Sequence, residues 1–510
     1  MTDQANTMPP AQKGTPSRRQ SLFDRRDSGI LLHPSSLPGD SFCGQLDHHA
    51  LRFVDFLHEC GFRVWQTLPL TEPRDHLSPY DCISVYAGNP ALISIQTLIT
   101  DGWLPSSTPT PKNLQQQMQL LNHLFADRLQ ILDKETKQQM EAFYQEQCWL
   151  RDYALFVAIK KKTGNKSWYD WDEPLKTREP SALANIAKTL ADDIEFNCFV
   201  QFIFHRQWSV VKHYANDKGI IIVGDLPFFC GMDSADVWNH PSLFKLENYQ
   251  PTVVVGVPPD YFSSTGQLWG NPAYDWSALE KQHFSWWADR FKHAQQHFDA
   301  IRIDHFRGFD ACWEVACGSA TAEKGTWVKA PGRAILALIK EQIPDLILIA
   351  EDLGTINNTV HQLRNDYRIP GMGILQFAFD GNASNPYLPH HHTPYSVIYT
   401  GTHDNNTTLG WFNALDQAGK SRVKNYYAWP QEFMPWPLIK SALQSTASLA
   451  ILPMQDALLL DSEARMNTPG TTEGNWVWRF QWQTLNPDIK KYLSELNAIY
   501  DRSRSVSDKR

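Results

Sequence analysis

The sequence lacks any run of the roughly 18 apolar residues that a membrane-spanning helix requires. No CxxC pair occurs among its eight cysteines (Cys43, Cys60, Cys82, Cys148, Cys198, Cys230, Cys312 and Cys317). That excludes zinc-ribbon spacing and a disulfide framework and predicts free thiols in a reducing compartment. Basic charge is short as well. The 47 Lys and Arg are outnumbered by 55 Asp and Glu, a net charge of −8, so neither nucleic acid nor a membrane surface is an expected partner. No GxGxxG follows an early apolar run, which weighs against a doubly wound dinucleotide-binding sheet. Repeats and low-complexity tracts are absent. Residues 1–27 are polar and carry no apolar signal core, so they read as a disordered tail on a cytoplasmic protein.

What is present is apolar and aromatic. Of 510 residues, 42% are hydrophobic, enough for a large core, and 19 are Trp. Indole offers a broad apolar face with one polar edge, which suits core packing and the C–H faces of sugars alike. Eight short, nearly continuous apolar runs predict strands buried on both faces: Gly29–Leu37, Arg63–Leu70, Ile220–Pro227, Ala300–Phe306, Leu346–Asp352, Gly373–Phe379, Val397–Asp404 and Ala450–Leu458. Helical patterns such as His49–Cys60, Ser285–His297 and Arg333–Gln342 lie between them. The fold class expected is α/β, a (β/α)8 TIM barrel over 28–500 with inserted, mostly helical subdomains between barrel strands. A helical subdomain is expected at 103–200 between strands two and three. An aromatic, Gly- and Pro-rich lid is expected at 228–285, and a further insertion at 405–449 between strands seven and eight. The segment after Asp501 reads as a frayed end.

Active sites of such barrels lie at the carboxyl ends of the strands. There the sequence delivers Asp225 on strand three, Arg302-Ile303-Asp304-His305 on strand four, Glu351-Asp352 on strand five and His403-Asp404 on strand seven. One such carboxylate is an ordinary helix cap; four at equivalent ends point to glycoside or metal chemistry. Arg302, two residues before Asp304, shares its face of the strand. Its cation competes with a metal and is expected to lower the Asp304 pKa. Retaining glycoside transfer needs two carboxyl groups about 5 Å apart, which adjacent strand ends supply. Asp304 is assigned as nucleophile, Glu351 as acid/base with a pKa raised by apolar surroundings, and Asp404 as the group that binds sugar hydroxyls and favours the oxocarbenium shape. His305 and His403 either donate to hydroxyls or make structural hydrogen bonds.

Long stretches then give a resemblance. GILLHPSSLPG (29–39), WQTLPL (65–70), SPYDCISVYAGNP (78–90), PPDYFSSTGQLWGNPAYDW (258–276), RIDHFRGF (302–309), IAEDLG (349–354), GTHDNNTTLGWF (401–412) and ARMNTPGTTEGNWVWR (464–479) resemble, in order, the motifs of glycoside hydrolase family 77, the 4-α-glucanotransferases or amylomaltases. The resemblance implies disproportionation of α-1,4-glucans and maltooligosaccharides by a retaining double displacement, with no cofactor and no metal. It implies the same three carboxylates: Asp304, Glu351 and Asp404. It also implies that Tyr80, Asp225, Trp269, Asn271, Pro272, Arg302, His305 and His403 line the sugar sites.

Two stretches depart from the family pattern. DSFCGQLD follows Gly39 in place of a glycine-rich run, and Ala316-Cys317-Gly318 stands where a WEVPAGE-like run is usual. Transfer rather than hydrolysis requires water to be excluded from the intermediate. Tyr261, Phe262, Trp269 and Tyr274 of the expected lid are the residues suited to that. A related hydrolase and an inactive glucan-binding homologue remain as alternatives.

Overall fold

The computed structural model describes residues 22–74, 76–259 and 263–503. Eight strands build the centre: β1 (Asp27–Leu31), β2 (Val64–Gln66), β3 (Ile221–Leu226), β4 (Ala300–Ile303), β5 (Ile347–Ala350), β6 (Gly371–Ile374), β7 (Ser396–Tyr399) and β8 (Leu449–Pro453). They form one parallel sheet in the order β5-β4-β3-β2-β1-β8-β7-β6. Each lies within or overlaps one of the eight apolar runs. Inward side chains such as Leu31, Val64, Val223, Ile349, Val397 and Ile451 pack into a single interior cluster, so this is a filled barrel and not a pore. Gly29 is required where β1 meets β2, because a Cβ there would come within 2.6 Å of Val64.

The sheet is nearly closed between β5 and β6. Ala350 N–H donates to the Pro370 carbonyl at 2.9 Å, and beyond it the Asp352 carboxylate substitutes for a ladder, accepting from Met372 N–H at 2.9 Å. Arg364 holds that carboxylate at 2.6 Å. Any side chain at Gly371 would collide with both Arg364 and Asp352.

Both expected tails are shorter than the sequence suggests. Residues 1–21 and 504–510 lie outside the described residues, but the expected 1–27 tail runs too far. Leu22 is fully buried in the barrel-interior cluster, Arg26 donates to the Leu443 carbonyl at 2.9 Å, and Asp27 opens β1. At the other end Arg502 is fully buried. Its guanidinium donates to the carbonyls of Leu443 (2.6 Å), Asp27 (2.6 Å), Ser445 (2.9 Å) and Ala447 (3.0 Å). A polar sequence conceals both anchors, since each is one side chain serving backbone acceptors or a cavity that distant residues create.

The insertions also divide differently. Between β2 and β3 run the helices Leu114–Ile131, Lys134–Glu146, Leu150–Lys162, Pro180–Thr189 and Ala191–Asp217. The last is one 27-residue rod that starts in the insertion and ends against β3, so the expected boundary at residue 200 falls inside a helix. Residues 228–285, expected as a lid, are tied into a wider sheet. Their strands Val253–Val257 and Gln267–Pro272 join Ala311–Ala316 and Gly325–Lys329, from the connection after β4, in a four-stranded antiparallel sheet. Tyr261 and Phe262 lie outside the described residues, while Tyr274 is buried as core. The 405–449 connection holds three helices, Thr408–Ala414, Gln417–Tyr426 and Trp436–Gln444.

Arg502→Ala removes a fully buried guanidinium and its hydrogen bonds to carbonyls of which Leu443 and Ser445 keep Arg26 as donor, and should destabilise the protein by roughly 2–4 kcal/mol. A urea midpoint equal to that of the unsubstituted protein would show that Arg502 is not an anchor.

Candidate active site

Parallel registration determines what meets at the barrel mouth. Asp225 on β3 is the register partner of Arg302 on β4, so both side chains enter the same layer. Arg302 Nη1 lies 2.6 Å from Asp225 Oδ2 and 3.2 Å from Asp304 Oδ1. Tyr80 reaches in from the β2 connection, its hydroxyl donating to Asp225 Oδ2 at 2.9 Å. Asp225 Oδ1 is buried and has no partner within the described residues, as is His305 Nε2. Each is a polar atom that a ligand hydroxyl can satisfy.

Asp304 and Glu351 follow the paired ends of β4 and β5, where Ile303 registers with Ala350. Asp304 N–H donates to Leu226 and Glu351 N–H to Ile303, at 3.1 and 3.0 Å, which fixes both backbones. Neighbouring strands are about 4.8 Å apart, so the two carboxyl groups begin from the spacing that retaining glycoside chemistry uses. His305 then takes a left-handed turn, φ 52°, and this aims its N–H at Glu351 Oε2, 2.8 Å away. The strained turn makes that bond possible.

Burial and the neighbouring carboxylates push the Asp304 pKa well above the usual range, although Arg302 opposes them. This corrects the expectation that Arg302 would lower it: one guanidinium cannot offset desolvation together with Asp225, Glu351 and Asp404. Burial also raises Glu351 to about 7, with Arg302 and the His305 N–H pulling it down. Only Asp304 of the pair touches the cation, which favours its anion against the desolvation. Burial lowers His305 to about 4 and also lowers His403, so both rings are neutral near pH 7.

Asp404 faces the cleft with 48% of its side chain exposed. Asn467 Nδ2 donates to its Oδ1 at 2.7 Å, and Arg465 donates to its carbonyl at 2.6 Å. His403 stacks on Tyr80 at 5.2 Å, with Trp476 5.8 Å from His403 and 6.0 Å from Tyr80. Opposite, Trp269 meets His305 edge-on at 4.9 Å and is 38% exposed. Two residues expected to line the sugar sites also serve the scaffold. Pro272 is buried in the antiparallel sheet, paired with Val254, and the Asn271 amide donates to the Cys230 carbonyl at 2.9 Å. Both hold the strand that presents Trp269.

Sequence reasoning quoted residues 464–479 but drew no site residue from them, and so missed Arg465, Asn467 and Trp476. It also missed Asp456, whose carboxylate takes hydrogen bonds from Thr400 Oγ1 (2.5 Å), Thr408 Oγ1 (2.6 Å) and Thr408 N–H (2.7 Å), anchoring the loop that carries His403-Asp404. Thr408, which closes GTHDNNTT, and Thr400 just before that motif were the available signal.

Metal ligation fits poorly. Among the described residues, three candidate ligand atoms converge within 4.8 Å at Asp47, His48 and His49. There Trp482 Nε1–H donates to His49 Nδ1 at 2.9 Å, so Nε2 carries the ring proton and has no lone pair to offer.

With this geometry in hand, the relatives agree. The family model described as 4-alpha-glucanotransferase matches residues 32–485. The chain belongs to this family. It is 43% identical over 499 residues to the 4-alpha-glucanotransferase of Synechocystis and 44% identical over 498 residues to that of Thermus thermophilus; each alignment covers 94% of this chain and 99% of the relative. Amylomaltase from Streptococcus agalactiae, solved in complex with acarbose, superposes with a TM-score of 0.90 at 37% identity, covering 94% of this chain and 100% of that one.

Glu351 has a folded pKa above its unfolded value, so its contribution to stability is lost as pH rises from about 4.5 through about 7. Glu351→Gln removes that loss and should raise stability at pH 8 by on the order of 1–3 kcal/mol, with little gain at pH 4.5. Identical denaturation curves at pH 8 would mean that Glu351 ionises without penalty.

Proposed function

We infer that this member of the family is a 4-α-glucanotransferase, which moves segments of α-1,4-glucan from a donor to the 4-OH of an acceptor glucan or glucose. The observation that carries the reading is the pairing at the ends of β4 and β5: one carboxylate on a buried guanidinium, and beside it a carboxyl group whose pKa lies near neutrality.

In the first step Asp304 attacks the anomeric carbon while Glu351 gives its proton to the leaving glycosidic oxygen. A glycosyl ester forms on Asp304 and the cleaved glucan departs with a free 4-OH. In the second step Glu351, now a carboxylate, takes the proton from the acceptor 4-OH, whose oxygen displaces Asp304. Asp404, oriented by Asn467, binds sugar hydroxyls and stabilises the positive charge of each transition state. Asp225 Oδ1 and His305 Nε2 are suited to hydroxyl partners on the bound sugar. Tyr80, His403 and Trp476 form an aromatic wall opposite Trp269. The site needs no cofactor or metal for this chemistry.

We also propose the domain division as amended above, with the β2–β3 helices as an accessory lobe. No helix among the described residues is long and apolar enough to cross a membrane. All eight cysteines are free, which suits the reducing cytoplasm.

Incubation with maltotriose tests the activity. Transfer yields glucose together with a ladder of longer oligomers, whereas maltose and glucose alone would indicate hydrolysis, and no change would indicate binding only. Asp304→Asn should reduce turnover roughly 1,000-fold or more while leaving the fold intact; a near-normal rate would remove Asp304 from the mechanism. Because the first step needs protonated Glu351, kcat/KM should fall as pH rises through about 7. An alkaline limb that persists unchanged in Glu351→Gln would assign that proton to another group.

A further inference from the structure

The connection between β7 and β8 carries two exposed aromatic rings that the active site does not use. Trp429 is 62% exposed and Phe433, four residues on, is 65% exposed. Large side chains of this kind are ordinarily buried. The backbone adds a second observation. Ala428 and Trp429 are consecutive non-glycine residues in the left-handed region, at φ 53° and 54°, a conformation that costs free energy. His283 and Phe284 adopt the same pairing at φ 52° and 55°, but there the turn drives Phe284 into the core, 7% exposed. At Trp429 the strain leaves an indole facing outward. Trp429 N–H donates to the Lys424 carbonyl at 2.7 Å, and the Lys424 ammonium lies 5.6 Å from the ring centroid, so the indole is held in a set orientation.

Topology places this patch at the catalytic end of the barrel. Barrel strands run toward the mouth, and the helix Trp436–Gln444 returns to the start of β8. Its first turn, and the loop before it, therefore lie at the mouth end. Aromatic packing supports the placement. Trp411, in the helix that follows the His403-Asp404 loop, packs on Phe379 at 6.1 Å, and Phe379 on Tyr426 at 5.6 Å.

We propose that Trp429 and Phe433 form an accessory docking surface for α-glucan chains, outside the cleft, that holds part of a long donor or acceptor whose reacting end lies at Asp304. Flat apolar rings, one of them beside the Lys424 ammonium and with Gln431 between them in the sequence, match a glucan, which alternates C–H faces with hydroxyl edges. The rings lie at the end of the barrel where the glucan enters, which favours the substrate as their occupant. The proposal rests on the transferase reading for its ligand.

Trp429→Ala and Phe433→Ala, singly and together, test it. Disproportionation of maltotriose should be unchanged. The apparent KM for amylose should rise roughly 3- to 10-fold, the range that aromatic stacking supplies. Retardation of the protein in native gels containing amylose should weaken in parallel. Unchanged amylose KM and retardation would overturn the proposal. A change in sedimentation with unchanged retardation would also overturn it, assigning the patch to contact between two copies of the chain. If the unsubstituted protein failed to disproportionate maltotriose, the transferase reading would fall, while the gel would still decide whether these rings bind glucan.

Discussion

One buried guanidinium organises the mouth of this barrel. Arg302 is 4% exposed and contacts Asp225 and Asp304 together. An isolated charge at that depth would be strongly unfavourable, and the pair of carboxylates offsets the loss of water only while their geometry is kept. Strand register keeps it. Arg302 and Asp225 are neighbours because β3 and β4 align there, and Asp304 is two residues along the same strand. Moving β4 by one residue would turn Arg302 to the other face and leave Asp225 without its cation. The charge network and the barrel register therefore sustain each other.

Around that centre, carboxylates outside the reaction hold the catalytic loops. Asp352 substitutes for the missing ladder between β5 and β6, directly after Glu351. Asp456 gathers Thr400 and Thr408 on either side of His403-Asp404. Each ties a loop of special conformation to a rigid strand, which is how a site keeps its side chains oriented without using the flexible part of the chain.

The legible part of this structure was the part encoded locally. Apolar runs such as Ile220–Pro227 and Leu346–Asp352 carry their strand identity in composition, and the catalytic carboxylates sit at their ends, so barrel and reactive groups could be read together. Pro272 and Asn271 mark a limit of that reading, since a motif shows which residues travel together but not which of them also hold a strand. Arg502 and Leu22 were hidden for another reason. Their burial depends on carbonyls and a cavity assembled from opposite ends of the chain, and nothing nearby in sequence records that. The Asp304 pKa failed in sign because Arg302 is two residues away and visible, whereas Asp225, Glu351 and Asp404 act through space.

That sign has a consequence for how the charges work. Four carboxyl groups surround one cation, and burial raises both Asp304 and Glu351, so the free site resists holding that pair ionised together. Glu351 has no cation contact, its anion supported by the backbone N–H groups of His305 and Leu353. When the glycosidic bond breaks, positive charge appears at the anomeric carbon, and the anionic surplus that was unfavourable in the empty cleft becomes attractive. Burial strengthens that attraction, because little water intervenes to screen it. The raised pKa values and the stabilisation of an oxocarbenium-like transition state are thus two expressions of one arrangement: more negative charge than Arg302 can neutralise, held in place before the substrate arrives.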